Sequence, residues 1–510
     1  MPLINPISQF FAMLKKKIPI SFISYTEKAN SYQFMTEFDY FKKALSLVVR
    51  HTSQVICSIR PALKFPPDVL YGLHDKGLDL INNNINYLDH SDNKKVIVIN
   101  NVDNAFELLS RKNFIIQCEN LPQLTITDCS DFVIDLTKIS IKFSKENREK
   151  FQIVINKCKN FNVCGGFLED TRNAIFITDS AGFIISGLRT RHAEGYGIIV
   201  FNCNYFKIEN CDFSNNLASG VYCLGDTSYG VIEKNNFSGG RGYYNWDAGL
   251  HINHCTPQLS TEHIPERSHE ARRIDEKILK PTFIYVLDNI FTGNRAQGIY
   301  CEGCVLSCFE NNIIEKNNKE GICFDWGSAL NVFRSNVLLM NGERAKLSAA
   351  EIKADFIEHH PTLPDGSSSC KLPGLSIDNG ALNILTSNKF CNNYGGGVKM
   401  VRTGIGNVVY GNSFLENGIG RNEYFKHYHG VNMLGMGAGK TEFTSGDAKL
   451  DFMPSELNFI FSNIYSGNSQ FNAVYASRVC PPNNFVGADN FIVSVGGKAL
   501  SDNLHVECKE

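Results

Sequence analysis

NNIIEKNNKEGICFD, residues 311–325, holds the pattern that decides the fold. Asn312 and Asn317 stand five residues apart around a mostly apolar stretch. Gly321 follows and opens a short strand, in which Ile322 and Phe324 alternate with Cys323 and Asp325. Asparagine tolerates left-handed backbone and bonds its neighbours, so it suits turns, and glycine suits tight corners. The module recurs with Asn210/Asn215, Asn289/Asn294, Asn336/Asn341, Asn388/Asn393 and Asn412/Asn417. The strands that follow open at Gly220, Gly298, Gly374, Gly397 and Gly430. Gly197 to Gly220, Gly298 to Gly321 and Gly374 to Gly397 are each 23 residues apart, and longer intervals carry discrete polar inserts. Earlier in the chain Cys129, Cys158, Ser180 and Cys203 keep the same beat, with final intervals of 22 and 23.

A fixed period of this length is the mark of a solenoid. Short strands, asparagine at turns and glycine at corners give a chain that resembles the right-handed, single-stranded parallel β-helix of the pectate-lyase-like superfamily. The expected fold is an all-β solenoid of coils of about 23 residues over 95–440. Inserts fall at about 254–282, 342–373 and 418–429. Residues 1–94 fit the repeat poorly. Gln33 to Val49 and Asp68 to Leu88 have helical apolar spacing, so this segment reads as a partly helical cap for an open solenoid end. Residues 441–510 read as final irregular coils and a C-terminal cap. KLSAAEIKADFIEHH, in the second insert, starts with a capping box of Ser348 and Glu351 and reads as a helix.

The period of two sorts the side chains. One and three residues after each glycine stand apolar residues or cysteine, such as Ile299/Cys301, Ile322/Phe324 and Leu375/Ile377, and these face inward. Cys223 and Cys301 therefore read as small buried hydrophobes. CEGCVLSC (301–308) lacks the second arm that a zinc site needs. The chain has 17 cysteines and no clear secretory signal, because the apolar stretch after Lys15-Lys16-Lys17 is short and broken. The expectation is reduced thiols and a cytoplasmic protein, with secretion by a non-classical route as the alternative.

The outward positions carry Tyr222, His251, Tyr300, Cys323, Ser376 and Lys399 in one column, and Asn253, Glu302, Asp325 and Asp378 in the other, with Arg402 close by. Neighbouring coils lie ~4.8 Å apart. Glu302, Asp325 and Asp378 would then stack in line, and like charges in line repel unless something compensates. A bound Ca²⁺, a raised carboxyl pKa, or Lys399 and Arg402 would serve. No other cofactor is expected. The competing reading is a solvated polar face whose carboxylates splay apart. Trp246 in GGRGYYNWD (239–247) and Trp326 after the strand offer sugar-stacking surfaces. Asp365 and Lys371, in DGSSSCKLPG, lie on a loop returning to the Asp378 strand.

The resemblance implies a carbohydrate-active enzyme, a hydrolase, lyase or epimerase working in a groove along one outer sheet. Asp325 and Asp378 would be the acid/base pair with Glu302 as a third carboxylate. His251, Tyr300, Lys399 and Arg402 would supply the base and cation of lysis or epimerisation. Tyr222, Asn253, Trp246, Trp326, Asp365 and Lys371 would bind substrate. The chain contains no Gly-His-Gly, Arg-Ile-Lys or Asp-Pro-His-Asp, the motifs of familiar families of this fold, so the substrate stays open. An intracellular isomerase, cyclase or lyase acting on a small molecule is one alternative, and a non-catalytic adhesin or effector is another. The net charge of −2 gives no field for nucleic acid, and no apolar run reaches membrane-spanning length. A monomer and a side-by-side homotrimer are both compatible with the pattern.

Overall fold

In the computed structural model, the described residues are 67–85, 95–99, 114–118, 123–144, 150–240, 248–253, 281–325, 328–343, 372–378, 380, 382–401, 406–419, 431–434, 458–468, 474–476, 485–486 and 491–492. Among the described residues, 38 strands form three sheets whose pairings are all parallel. The first sheet has 14 strands, from β1 (Lys95–Ile99) to β37 (Phe485–Val486). The second has 12, from β3 (Leu124–Thr127) to β36 (Val474–Ala476). The third has 12, from β5 (Ser140–Lys142) to β38 (Phe491–Ile492). From β3 onward every third strand returns to the same sheet, so each coil gives one strand to each. One such coil is β21 (Ile299–Glu302), β22 (Cys308–Glu310) and β23 (Ile313–Glu315), and β24 (Ile322–Asp325) opens the next. This is a parallel β-helix, as the 23-residue beat predicts.

The interior is a continuous stack of the inward residues. Ile198/Val200, Val221/Cys223, Leu250/Ile252, Ile299/Cys301 and Ile322/Phe324 are all fully buried in one cluster. Phe132, Phe161, Phe183 and Phe206 stack along the first sheet at 4.8–5.4 Å.

The corners hold three columns of buried asparagines. One runs Asn235, Asn289, Asn312, Asn336, Asn388, Asn412, Asn463, and a second Asn294, Asn317, Asn341, Asn393, Asn417, Asn468. The third, Asn331, Asn383, Asn407, Asn458, occupies the corner held earlier by Cys158, Ser180, Cys203 and Thr227. Asn289 shows the rung. Its Oδ1 accepts from the Asn235 backbone N–H at 2.9 Å and side-chain amide at 3.1 Å. Its Nδ2 donates to the Ile232 carbonyl at 2.8 Å and forward to Asn312 Oδ1 at 3.1 Å. Both amide hydrogens and both carbonyl lone pairs are satisfied, as a buried amide requires.

Asn210 and Asn215 do not belong to these columns. They take the left-handed conformation, φ 54° each, and the ladder positions are the next residues, Cys211 and Asn216. Lys234, Asp288, Asn311 and Ser335 take the same left-handed place before later ladder asparagines. One turn position needs positive φ and the next needs an amide, and asparagine suits both. The corner cysteines imitate half a rung. Cys203 Sγ donates to the Phe201 and Ile177 carbonyls, at 3.2 and 3.6 Å. All cysteines among the described residues are free thiols.

The strand-opening glycines are required by close approach of the coils. A Cβ on Gly298 would lie 2.8 Å from the Gly321 carbonyl oxygen, and one on Gly321 equally close to that of Gly374.

Helix α1 (Pro67–Asn84) opens on a proline, and its C-terminal turn is tied by Asn84 Nδ2 to the Leu80 carbonyl at 2.7 Å. The apolar spacing from Asp68 predicts this helix. It lies along the outer face of the first sheet, against β13 (Asn204–Glu209), β16 (Ser228–Glu233) and β19 (Thr282–Leu287). Ile81 and Ile85 join Ile184, Tyr229, Phe283 and Tyr285 in a second apolar cluster, and that outward aromatic surface is what draws the helix onto the face. The expected helix over Gln33 to Val49 and the three inserts fall outside the described residues.

The ladder predicts a sharp contrast between two asparagines. Asn336→Ala strands donors on Asn312 and removes the acceptor for both its backbone and side-chain N–H groups. A loss of about 3 kcal/mol or more of unfolding free energy is expected, at ~1–3 kcal/mol per orphaned buried group. Asn210→Ala, outside the ladder, should cost about 1–2 kcal/mol, the scale of a left-handed backbone preference. Urea unfolding followed by circular dichroism reads both.

Candidate functional site

The site expected from sequence lies on the outer face of the second sheet. β15 (Val221–Leu224), β18 (Leu250–Asn253), β21, β24, β27 (Leu375–Asp378) and β30 (Val398–Val401) run side by side. The register places Tyr222 beside His251, His251 beside Tyr300, Tyr300 beside Cys323, Cys323 beside Ser376, and Ser376 beside Lys399. In the second column Asn253 pairs Glu302 and Glu302 pairs Asp325. Asp325 and Asp378 are the next residues beyond the paired Phe324 and Ile377.

Side chains join the columns. Tyr300 Oη donates to Glu302 Oε1 at 2.7 Å. Asn253 Nδ2 donates to Tyr222 Oη at 3.1 Å. The His251 ring stacks on Tyr222, centroids 4.6 Å apart, and stands tilted to Tyr300 at 5.0 Å. Tyr196, which the alternation of strand residues does not reveal because it sits at a corner before Gly197, extends the stack at 5.0 Å from Tyr222. The face is enclosed: Tyr300 is 0% exposed, His251 6% and Glu302 9%. Toward the N-terminal coils the same face turns apolar, with Phe176, Ile199, Phe201 and Leu224 buried together. Asp378 and Lys399 are half-buried.

Tyr222, His251, Asn253, Tyr300 and Glu302 are thus brought together. Lys399 stands three coils beyond Tyr300, ~14 Å along the solenoid. Trp246, Trp326, Asp365, Lys371, Arg402 and the Asp325 side chain lie outside the described residues.

The sequence profile of the periplasmic copper-binding protein (NosD) family matches residues 76–259, 136–355 and 268–423. The chain belongs to the NosD family. No curated protein matches this NosD-family chain in sequence. Solved structures similar to it include the A-module of a mannuronan C-5 epimerase from Azotobacter vinelandii. That structure is 10% identical with a TM-score of 0.43, over 76% of this chain and 83% of that one. A periplasmic alginate epimerase is 12% identical with a TM-score of 0.45, over 78% and 83%. An alginate lyase from Paenibacillus sp. is 11% identical with a TM-score of 0.36, over 62% and 94%.

The family description raises copper. Among the described residues no three or more His, Cys, Asp or Glu side chains are placed to share an ion. The thiols of Cys301 and Cys304 point into the core, where Cys304 Sγ donates to Ser307 Oγ at 3.1 Å and burial pushes the Cys301 thiol well up. These residues do not fit a copper centre. Nor do Glu302 and Asp378, two coils and ~10 Å apart, form a calcium cluster by themselves. No helix of the described residues is long and apolar enough to cross a membrane.

The Tyr300–Glu302 bond gives a direct test of the site's wiring. Tyr300→Phe removes a donor from an almost buried carboxylate and should cost about 1–3 kcal/mol of stability. Glu302→Gln keeps an oxygen acceptor there and should cost less. Equal thermal unfolding midpoints for Tyr300→Phe and the parent would show that the bond contributes nothing.

Proposed function

We propose that the chain is a carbohydrate-active enzyme whose reacting groups are Glu302, Tyr300 and His251. The observation that carries this reading is the buried phenol of Tyr300 donating to Glu302, with the His251 ring on the adjacent coil. A phenol hydrogen-bonded to a carboxylate is a ready proton carrier, because the carboxylate holds the hydroxyl at a fixed orientation. Asp325, in register one coil away, supplies a second carboxylate at ~5 Å backbone spacing. Retaining glycoside hydrolysis uses two carboxyl groups ~5.5 Å apart, and a backbone spacing of this size is compatible with that requirement. Elimination or epimerisation would instead use Tyr300 or His251 to take the proton α to a uronate carboxylate, with Lys399 as the nearest described cation along the sheet.

Enclosure of the site supports a second reading. A face on which Tyr300 and Asn253 are almost fully buried suits a short oligosaccharide or small molecule better than a long chain lying in an open groove.

The test is turnover against a panel of neutral and uronic oligo- and polysaccharides. Mass spectrometry would read hydrolysis, ultraviolet absorbance unsaturated uronates, and proton NMR epimerisation. The expected result is one active substrate class, with Tyr300→Phe and Glu302→Gln each lowering kcat by about 100-fold or more while folding is kept. Wild-type turnover in both variants would remove this site from the reaction.

A further inference from the structure

Helix α1 carries a group the catalytic reading does not use. His74 is 5% exposed, wedged between the helix and the first sheet. Its ring meets Phe283 and Tyr285 edge-on, with centroids at 6.4 and 5.8 Å. Neither ring nitrogen has a hydrogen-bond partner. The helix is pressed close at this point: the His74 carbonyl accepts the Tyr285 hydroxyl, and a Cβ on Gly77 would come within 2.2 Å of the same oxygen. Charged and titratable groups stand on every element packed against the helix: β13 carries Tyr205 and Lys207, whose ammonium is held by Glu209 at 2.9 Å and by Glu233 of β16 at 2.8 Å. Asp75 lies on the helix, Tyr229 on β16 and Tyr285 on β19. Cys308 and Glu310 lie on β22, and Arg334 on β25 (Val332–Arg334). Arg334 is bound to Glu310 at 2.6 Å, so the nearest cation is fixed.

The helix also spans many coils. Asn84 sits over Gly182 on β10 (Ala181–Ser186), Gly77 sits over β19, and His74 reaches the influence of Arg334 on β25. Eighteen residues of helix are ~27 Å long, about the height of five to six coils. It is a strap laid along the solenoid.

We propose that α1 is an acid-released strap and that protonation of His74 is its trigger. A charged imidazole in this apolar slot would have no acceptor and would face Arg334, whereas in the released helix water solvates it. Burial first, and Arg334 second, hold the docked His74 down at about 3, against 6.5 for the free side chain. The released state therefore binds the extra proton between these values. Docking is fully favoured above pH 6.5 and weakens as the pH falls toward 3. Release bares the rings of Tyr229, Phe283 and Tyr285.

Hydrogen exchange of the full chain tests this. Between pH 7.5 and 4.5, after correction for intrinsic exchange, protection of the α1 amides should fall about 100-fold, the ratio set by two pH units below 6.5. Strand β12 (Ile198–Phe201) should keep its protection. His74→Phe, and His74→Gln if the first variant folds poorly, should abolish the pH dependence. An unchanged helix in the wild-type chain would overturn the proposal. So would a wild-type pH dependence in the variants, because Asp75 and Glu310 would then be its source.

Discussion

The hydrogen bond from one corner asparagine to the next fixes the height and register of the solenoid. A parallel β-helix has no turn short enough to lock its own register, because each strand returns only after a whole coil. The amide columns supply the lock. Each asparagine clasps both a backbone N–H and a backbone carbonyl of the preceding coil and passes its second hydrogen onward. A slip by one residue would leave several buried polar groups unpaired at every corner, and that costs more than most packing defects.

The outer columns of the second sheet inherit this precision. His251, Tyr300 and Glu302 come from strands separated in sequence by an insert, yet they meet within hydrogen-bonding and stacking distance because the coils beneath them are in register. The inward side chains contribute in the same way, since Ile299 and Cys301 cannot leave the core without turning Tyr300 and Glu302 away from the face. Inserts between coils can vary in length without moving the site, because the excess chain leaves and re-enters at a corner.

Much of this was legible in the sequence. The glycine beat gave the coil, the alternation of strand residues gave inside and outside, and together they placed Glu302 beside Asp325. The asparagine phase was harder. Asn210 and Asn215 look like ladder residues because asparagine serves both the left-handed turn position and the amide position after it. Tyr196 was hidden at a corner, where no alternation exists to read. The position of α1 was not legible at all. Its docking surface is assembled from residues such as Tyr285, 211 positions from His74 in the chain, and helical periodicity says only that a helix has an apolar side. Enclosure of the site was equally beyond a pattern that sorts residues by strand face alone.

The amide columns also have a direction. Every side-chain N–H that joins one ladder asparagine to another points from the lower-numbered residue to the higher, from Asn235 toward Asn463 and from Asn294 toward Asn468. Such a column is polar end to end, like a filament with distinguishable plus and minus tips. Within each rung the lower-numbered asparagine supplies a backbone and a side-chain donor, and the higher-numbered one supplies the oxygen that accepts both. Each coil meets the next with two aimed donors per corner.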